Sequence, residues 1–144
     1  MIKNERQYRI TKAHVEKFEK AIQEMTRSPQ RVEHPVLRRA QLDALKSQLK
    51  DLQCELKEYE TLRSGKRKIV TLGSLEELPK TLIQARIAAR LSQEELAIKL
   101  GLKPQQIQRY EATEYQAASL ERVQEIMRVL GVTLRRPASL RLAS

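Results

Sequence analysis

The stretch from Gln93 to Ala112, QEELAIKLGLKPQQIQRYEA, decides how this chain folds. It contains two amphipathic patterns with a glycine between them. Two helices that cross at about 90–120° through a tight turn need a small residue at the crossing, and Ala97 supplies it. The turn needs a residue that tolerates positive φ, and Gly101 supplies that. Ser92 and Glu95 have the spacing of a capping box for the first helix. Pro104 suits the first turn of the second. Leu102, Ile107 and Tyr110 form an apolar side that can pack on Leu96 and Leu100. Gln105, Gln106, Gln108 and Arg109 then remain on or near the outer face. Gln and Arg are the side chains that bond base edges bidentately.

Working outward, Leu82, Ile83, Ile87 and Leu91 mark a preceding helix over 79–90. Leu120, Val123, Ile126, Met127 and Leu130 mark a following one from Ser119, closed by Gly131 as a C-cap. Short paired strands at 69–72 and 132–134 are a further expectation. The basic run Arg63-Ser64-Gly65-Lys66-Arg67-Lys68 is the best boundary. Before it, Leu42, Leu45, Leu49, Leu52, Leu56 and Tyr59 alternate three and four apart, a heptad seam on a helix from Pro35 to about Arg63. A shorter helix over 11–26, with Thr11 as N-cap, carries Val15, Phe18, Ile22 and Met25. The two fold back as an antiparallel hairpin. At about 24 Å and 42 Å they differ in length, so the reading leaves Leu52, Leu56, Tyr59 and Leu62 uncovered by the first helix. These residues then pack on a second protomer or on the C-terminal half.

The expected organisation is all-α: a hairpin over 1–62, a basic linker over 63–73, a four-helix domain over 74–134 and a basic tail over 135–144. The Leu45, Leu49, Leu52, Leu56 and Tyr59 row reads as a hairpin core, a dimer or partner seam, or both.

Composition narrows the function. The 144 residues hold 28 Lys and Arg against 18 Asp and Glu, a net charge of +10. A basic surface attracts polyanions. Of these charges, 17 basic and 10 acidic fall in residues 1–70, so most of the excess lies outside the two-helix motif. One cysteine, Cys54, rules out an internal disulfide. His14 and His34 have no ligand-spaced partners, so no metal and no cofactor are expected. No Ser/His/Asp set, phosphate loop or carboxylate pair is visible, which argues against an enzyme. With no signal-like run after Met1 and no long apolar stretch, a cytoplasmic location is expected.

The segment from about Leu78 to Leu134 resembles the phage-repressor-like (Xre/Cro) helix-turn-helix family. The resemblance rests on Leu91-Ser92-Gln93-Glu94-Glu95-Leu96-Ala97, Leu100-Gly101-Leu102, Ile107 with Arg109-Tyr110-Glu111, and Leu130-Gly131-Val132. It implies a DNA-binding regulator, with Gln105, Gln106 and Arg109 facing the major groove and Gln93 on a phosphate. It also implies an ion pair between Arg86 and Glu111. Lys103 departs from the family pattern, standing where a capping Ser or Thr is usual; weaker capping and a phosphate contact follow. Gln108 is assigned to phosphate as well. Arg67 and Lys68 either track phosphates or belong to a solubilising linker. The loop at Thr113–Gln116 lacks basic residues, and no fifth helix is evident after Val132.

The function expected is sequence-specific binding of double-stranded DNA by a homodimeric repressor. The alternative is an antitoxin that binds a toxin through its N-terminal helices and represses its own promoter.

Overall fold

The computed structural model describes residues 1–27, 34–65, 72 and 74–133. Its elements are α1 (Glu5–Arg27), α2 (Pro35–Arg63), a 3₁₀ turn (Leu75–Glu77), α3 (Leu78–Ala88), α4 (Gln93–Lys99), α5 (Pro104–Ala112) and α6 (Leu120–Leu130). The protein is all-α, an N-terminal helical hairpin plus a C-terminal four-helix domain. The chain divides into two compact units, Met1–Lys68 and Ile69–Ser144. Of the expected strands, residues 69–71 and 134 lie outside the described residues, while Leu72, Val132 and Thr133 are in no strand.

In the first unit α1 and α2 pack antiparallel. Arg38 of α2 reaches the Met25 carbonyl at one end, and Arg63 pairs with Glu5 at the other. The structure corrects two expectations here. The helix does not start at Thr11. Asn4 caps it seven residues earlier, accepting the Gln7 N–H at 2.9 Å, so Thr11 sits inside the helix. The longer α1 therefore reaches the C-terminal end of α2, and that end is not left bare. Tyr8 stacks on Tyr59 with ring centroids 5.2 Å apart, and its hydroxyl donates to Glu60 at 2.7 Å. That hydrogen bond to Glu60 holds the Tyr8 hydroxyl above its ordinary pKa, because ionisation would lose it. Tyr59 and Leu62 are buried, whereas Leu42, Leu45, Leu49, Leu52 and Leu56 are only half-buried. The described elements of this unit are two helices, and two helices side by side cover a seam only in part.

In the second unit α4 packs on α5, and α3 packs on α6. Leu82, Ile83, Leu96, Ala97, Ile107 and Ile126 are at most 1% exposed. Leu100, Leu102, Tyr110 and Leu130 pack around the Leu96, Ala97 and Ile107 cluster. Three helices end in the same Schellman motif. After α4, the Leu102 N–H bonds to the Ala97 carbonyl at 2.9 Å and Gly101 takes φ +66°. After α6, Val132 bonds to Met127 at 2.9 Å and Gly131 takes φ +65°. After α3, Leu91 bonds to Arg86 at 3.1 Å, but the left-handed residue is Arg90 at φ +58°. A side chain there meets the clash that glycine avoids.

Candidate nucleic-acid interface

The site is assembled from the turn outward. Ala97 is fully buried at the α4–α5 contact, and the left-handed Gly101 reverses the chain so that Ile107, also fully buried, locks α5 beneath α4. Ser92 opens α4 with a complete capping box: its hydroxyl accepts from the Glu95 N–H at 3.1 Å, and the Glu95 carboxylate accepts from the Ser92 N–H at 2.7 Å. Those bonds, the backbone one first, hold the Glu95 carboxyl below its ordinary pKa.

The orientation of α5 follows from Ile107. At about 100° per residue, Gln105 and Arg109 fall within about 20° of the direction opposite Ile107, and Gln106 and Gln108 lie about 100° to either side of Ile107 itself. All four are exposed. Ala112 is exposed on the same outer face, one turn beyond Arg109. Sequence reasoning passed over it because alanine has no polar group, although the i+3 spacing was readable.

Beneath this face lies a charged core. Arg86, 2% exposed, donates through Nε and Nη2 to both oxygens of the fully buried Glu111, at 2.5 and 2.8 Å. Its Nη1 donates to the Leu91 carbonyl at 2.8 Å. This is the ion pair that the resemblance implied. A fork-on-carboxylate arrangement satisfies both charges, and it ties α3 to the last turn of the outward-facing helix. Gln93, at the start of α4, donates from Nε2 to Glu111 at 2.7 Å, so one carboxylate joins α3, α4 and α5. Gln93 is half-buried. Tyr115 closes the core from the loop after α5, stacked on Tyr110 at 6.2 Å. Its hydroxyl is buried and meets no partner among the described residues. Burial first, and the Glu111 charge second, push its pKa well above the ordinary 10.0.

Residues 82–136 match the family model described as Helix-turn-helix. Over this segment the chain is similar to the Xre/Cro-like helix-turn-helix family. Within it α4 and α5 are the two helices joined through the Gly101 turn. No curated protein and no solved structure matched the chain. The domain supports a DNA-binding transcriptional regulator. No helix among the described residues is long and apolar enough to cross a membrane.

The structure thus brings Gln105, Gln106, Gln108 and Arg109 together on one exposed helix. Lys103, exposed just before α5, offers no side-chain cap. Arg67 and Lys68 lie outside the described residues.

Proposed function

We propose that this protein is a sequence-specific double-stranded DNA-binding repressor that acts as a homodimer and silences a promoter by occupying it. One observation carries the reading: an exposed Gln105–Arg109 face on α5, held rigid from behind by Ile107 and the Arg86–Glu111 pair. Rigid presentation matters because bidentate bonds to a base edge tolerate little misplacement. Gln105 reads adenine at N6 and N7, and Arg109 reads guanine at O6 and N7. Gln93 at the start of α4, Lys103, Gln108 and the linker residues Arg67 and Lys68 contact phosphates, which fix register and carry the salt dependence. The hairpin supplies the second protomer's contact through the half-buried row Leu45, Leu49, Leu52 and Leu56.

Selection of bound sequences from random DNA tests this reading. A homodimer enriches an inverted repeat with half-sites about 10 bp apart. Enrichment of a lone half-site contradicts the dimer, and no enrichment contradicts sequence-specific binding.

The same half-exposed row supports a second reading, an antitoxin whose N-terminal helices bind a toxin while the C-terminal domain represses the shared promoter. Capture of a toxin by the full chain, lost when Leu49 and Leu52 are replaced by Asp, distinguishes it from plain repression.

A further inference from the structure

We infer that Gln106 meets DNA as a hydrogen-bond donor only: its carboxamide oxygen closes the N-terminus of α5, and its NH2 alone is offered to a single acceptor on the DNA. The inference rests on the reading of α5 as the recognition helix. It starts from a deficit. Pro104 has no N–H to cap, and Lys103, at the N-cap position, has a side chain that only donates. The Lys103 N–H is instead taken by Oε1 of Gln106 at 3.1 Å, while the Gln106 N–H bonds back to the Lys103 carbonyl at 2.9 Å. The 103–106 pair is therefore half of a capping box, with the glutamine supplying the acceptor that the lysine lacks.

That bond fixes the amide. Only the oxygen of a carboxamide accepts from an N–H, so the oxygen points at the backbone and the NH2 points away. Bidentate recognition of adenine needs the oxygen and the nitrogen aimed together at one base edge. Gln105, on the face opposite Ile107, has no such tether among the described residues. Gln106 does, and with its oxygen held against the backbone it turns its two N–H groups, not its acceptor, toward the DNA. The chemistry that fits is an isolated acceptor: guanine O6 or N7, or a phosphate oxygen.

The test uses the full chain, a site selected by the wild-type protein, and two variants. Gln106→Glu keeps an acceptor for the Lys103 N–H and removes the donor; Gln106→Ala removes both. The expected result is that Gln106→Glu melts at or above the wild-type temperature, while Gln106→Ala melts a few degrees lower. Both bind the selected site more weakly, Gln106→Ala by about two- to tenfold, the worth of one net hydrogen bond. Replacing each guanine in turn by 7-deazaguanine, which lacks N7, and by 2-aminopurine, which lacks O6, identifies the source. If one replacement penalises the wild type and not Gln106→Ala, the acceptor is a guanine. If none does and the loss is uniform across sequences, it is a phosphate oxygen. The inference is overturned if an adenine stripped of its N6 amino group penalises the wild type and not Gln106→Ala, since the oxygen is then reading a base. It is overturned equally if Gln106→Ala keeps full affinity, or keeps the wild-type melting temperature. Gln105→Ala and Arg109→Ala are measured alongside. Full affinity in both removes the recognition-helix reading and this inference with it; losses in both with full affinity in Gln106→Ala remove the donor role alone.

Discussion

The two units of this chain solve the same problem, holding helices together, with unequal means. The hairpin has a leucine row that stays half-exposed, and Ile2, Val15, Tyr59 and Leu62 are its buried apolar residues. The helix-turn-helix unit has side chains at 0–1% exposure on α3, α4, α5 and α6, plus an ion pair that bridges α3 to α5. Four helices around one core exclude water; two helices side by side do not. The unit that carries the proposed reading face has the tighter core, and the hairpin keeps apolar area half-exposed along its leucine row.

Several substitutions break or sharpen this contrast, and hydrogen exchange reads the two units separately. Glu111→Ala leaves Arg86 charged and buried without its partner, so it should destabilise the second unit by about 3–5 kcal/mol, with protection in α1 and α2 unchanged. Ile107→Ala should cost about 2–5 kcal/mol in the second unit. Leu49→Ala, at a half-buried position, should cost less than Ile107→Ala. Equal costs would mean that the hairpin seam is as closed in solution as the C-terminal core, which a second chain packed over it would bring about.

Smaller effects follow from two local defects. Tyr115 carries a buried hydroxyl with no partner among the described residues, so Tyr115→Phe should raise stability by about 1 kcal/mol. The same residue sets a pH dependence. Its pKa is raised on folding, so its contribution is full below pH 10.0 and is lost as pH rises above that. The second unit of the wild type should weaken in that alkaline range more steeply than that of Tyr115→Phe; parallel curves would show that the hydroxyl is not buried in solution. Arg90→Gly should stabilise α3 by about 0.5–1 kcal/mol, because glycine takes the left-handed C-terminal position without steric cost. A loss of stability instead would show that the Arg90 side chain contributes more than its strained backbone costs.

Much of this was legible in the sequence, for physical reasons that differ by residue. Ala97, Gly101 and Ile107 announce the α4–α5 corner because each meets a requirement few other residues meet. Ser92 with Glu95, Ser119 and Gly131 mark helix ends through their own hydrogen-bonding or backbone preferences. The start of α1 was misplaced because Thr11 also has a capping side chain, and the choice between it and Asn4 depends on what α2 offers to Tyr8. The capping role of Gln106 was readable, since Gln three residues after an N-cap is half of a known signature; its candidacy as a base reader obscured it. Arg90 in a left-handed conformation carries no sequence signal, because glycine is the residue that usually marks such a position. The buried Tyr115 hydroxyl is likewise set by packing alone. The proposed reading face was visible as a list of side chains, but its direction came only with Ile107 and Glu111 in place.

The central claim is that α5 reads bases through its outer face, and Arg109→Ala tests it most directly. Affinity is measured for the selected site and for random DNA at one fixed salt concentration, with melting temperature as a check on the fold. If Arg109 reads a guanine, affinity for the selected site falls by about 1–3 kcal/mol while affinity for random DNA barely changes, and preference relaxes at one position per half-site. If both affinities fall by the same factor, Arg109 is a phosphate contact and the outer face of α5 is not the reading face.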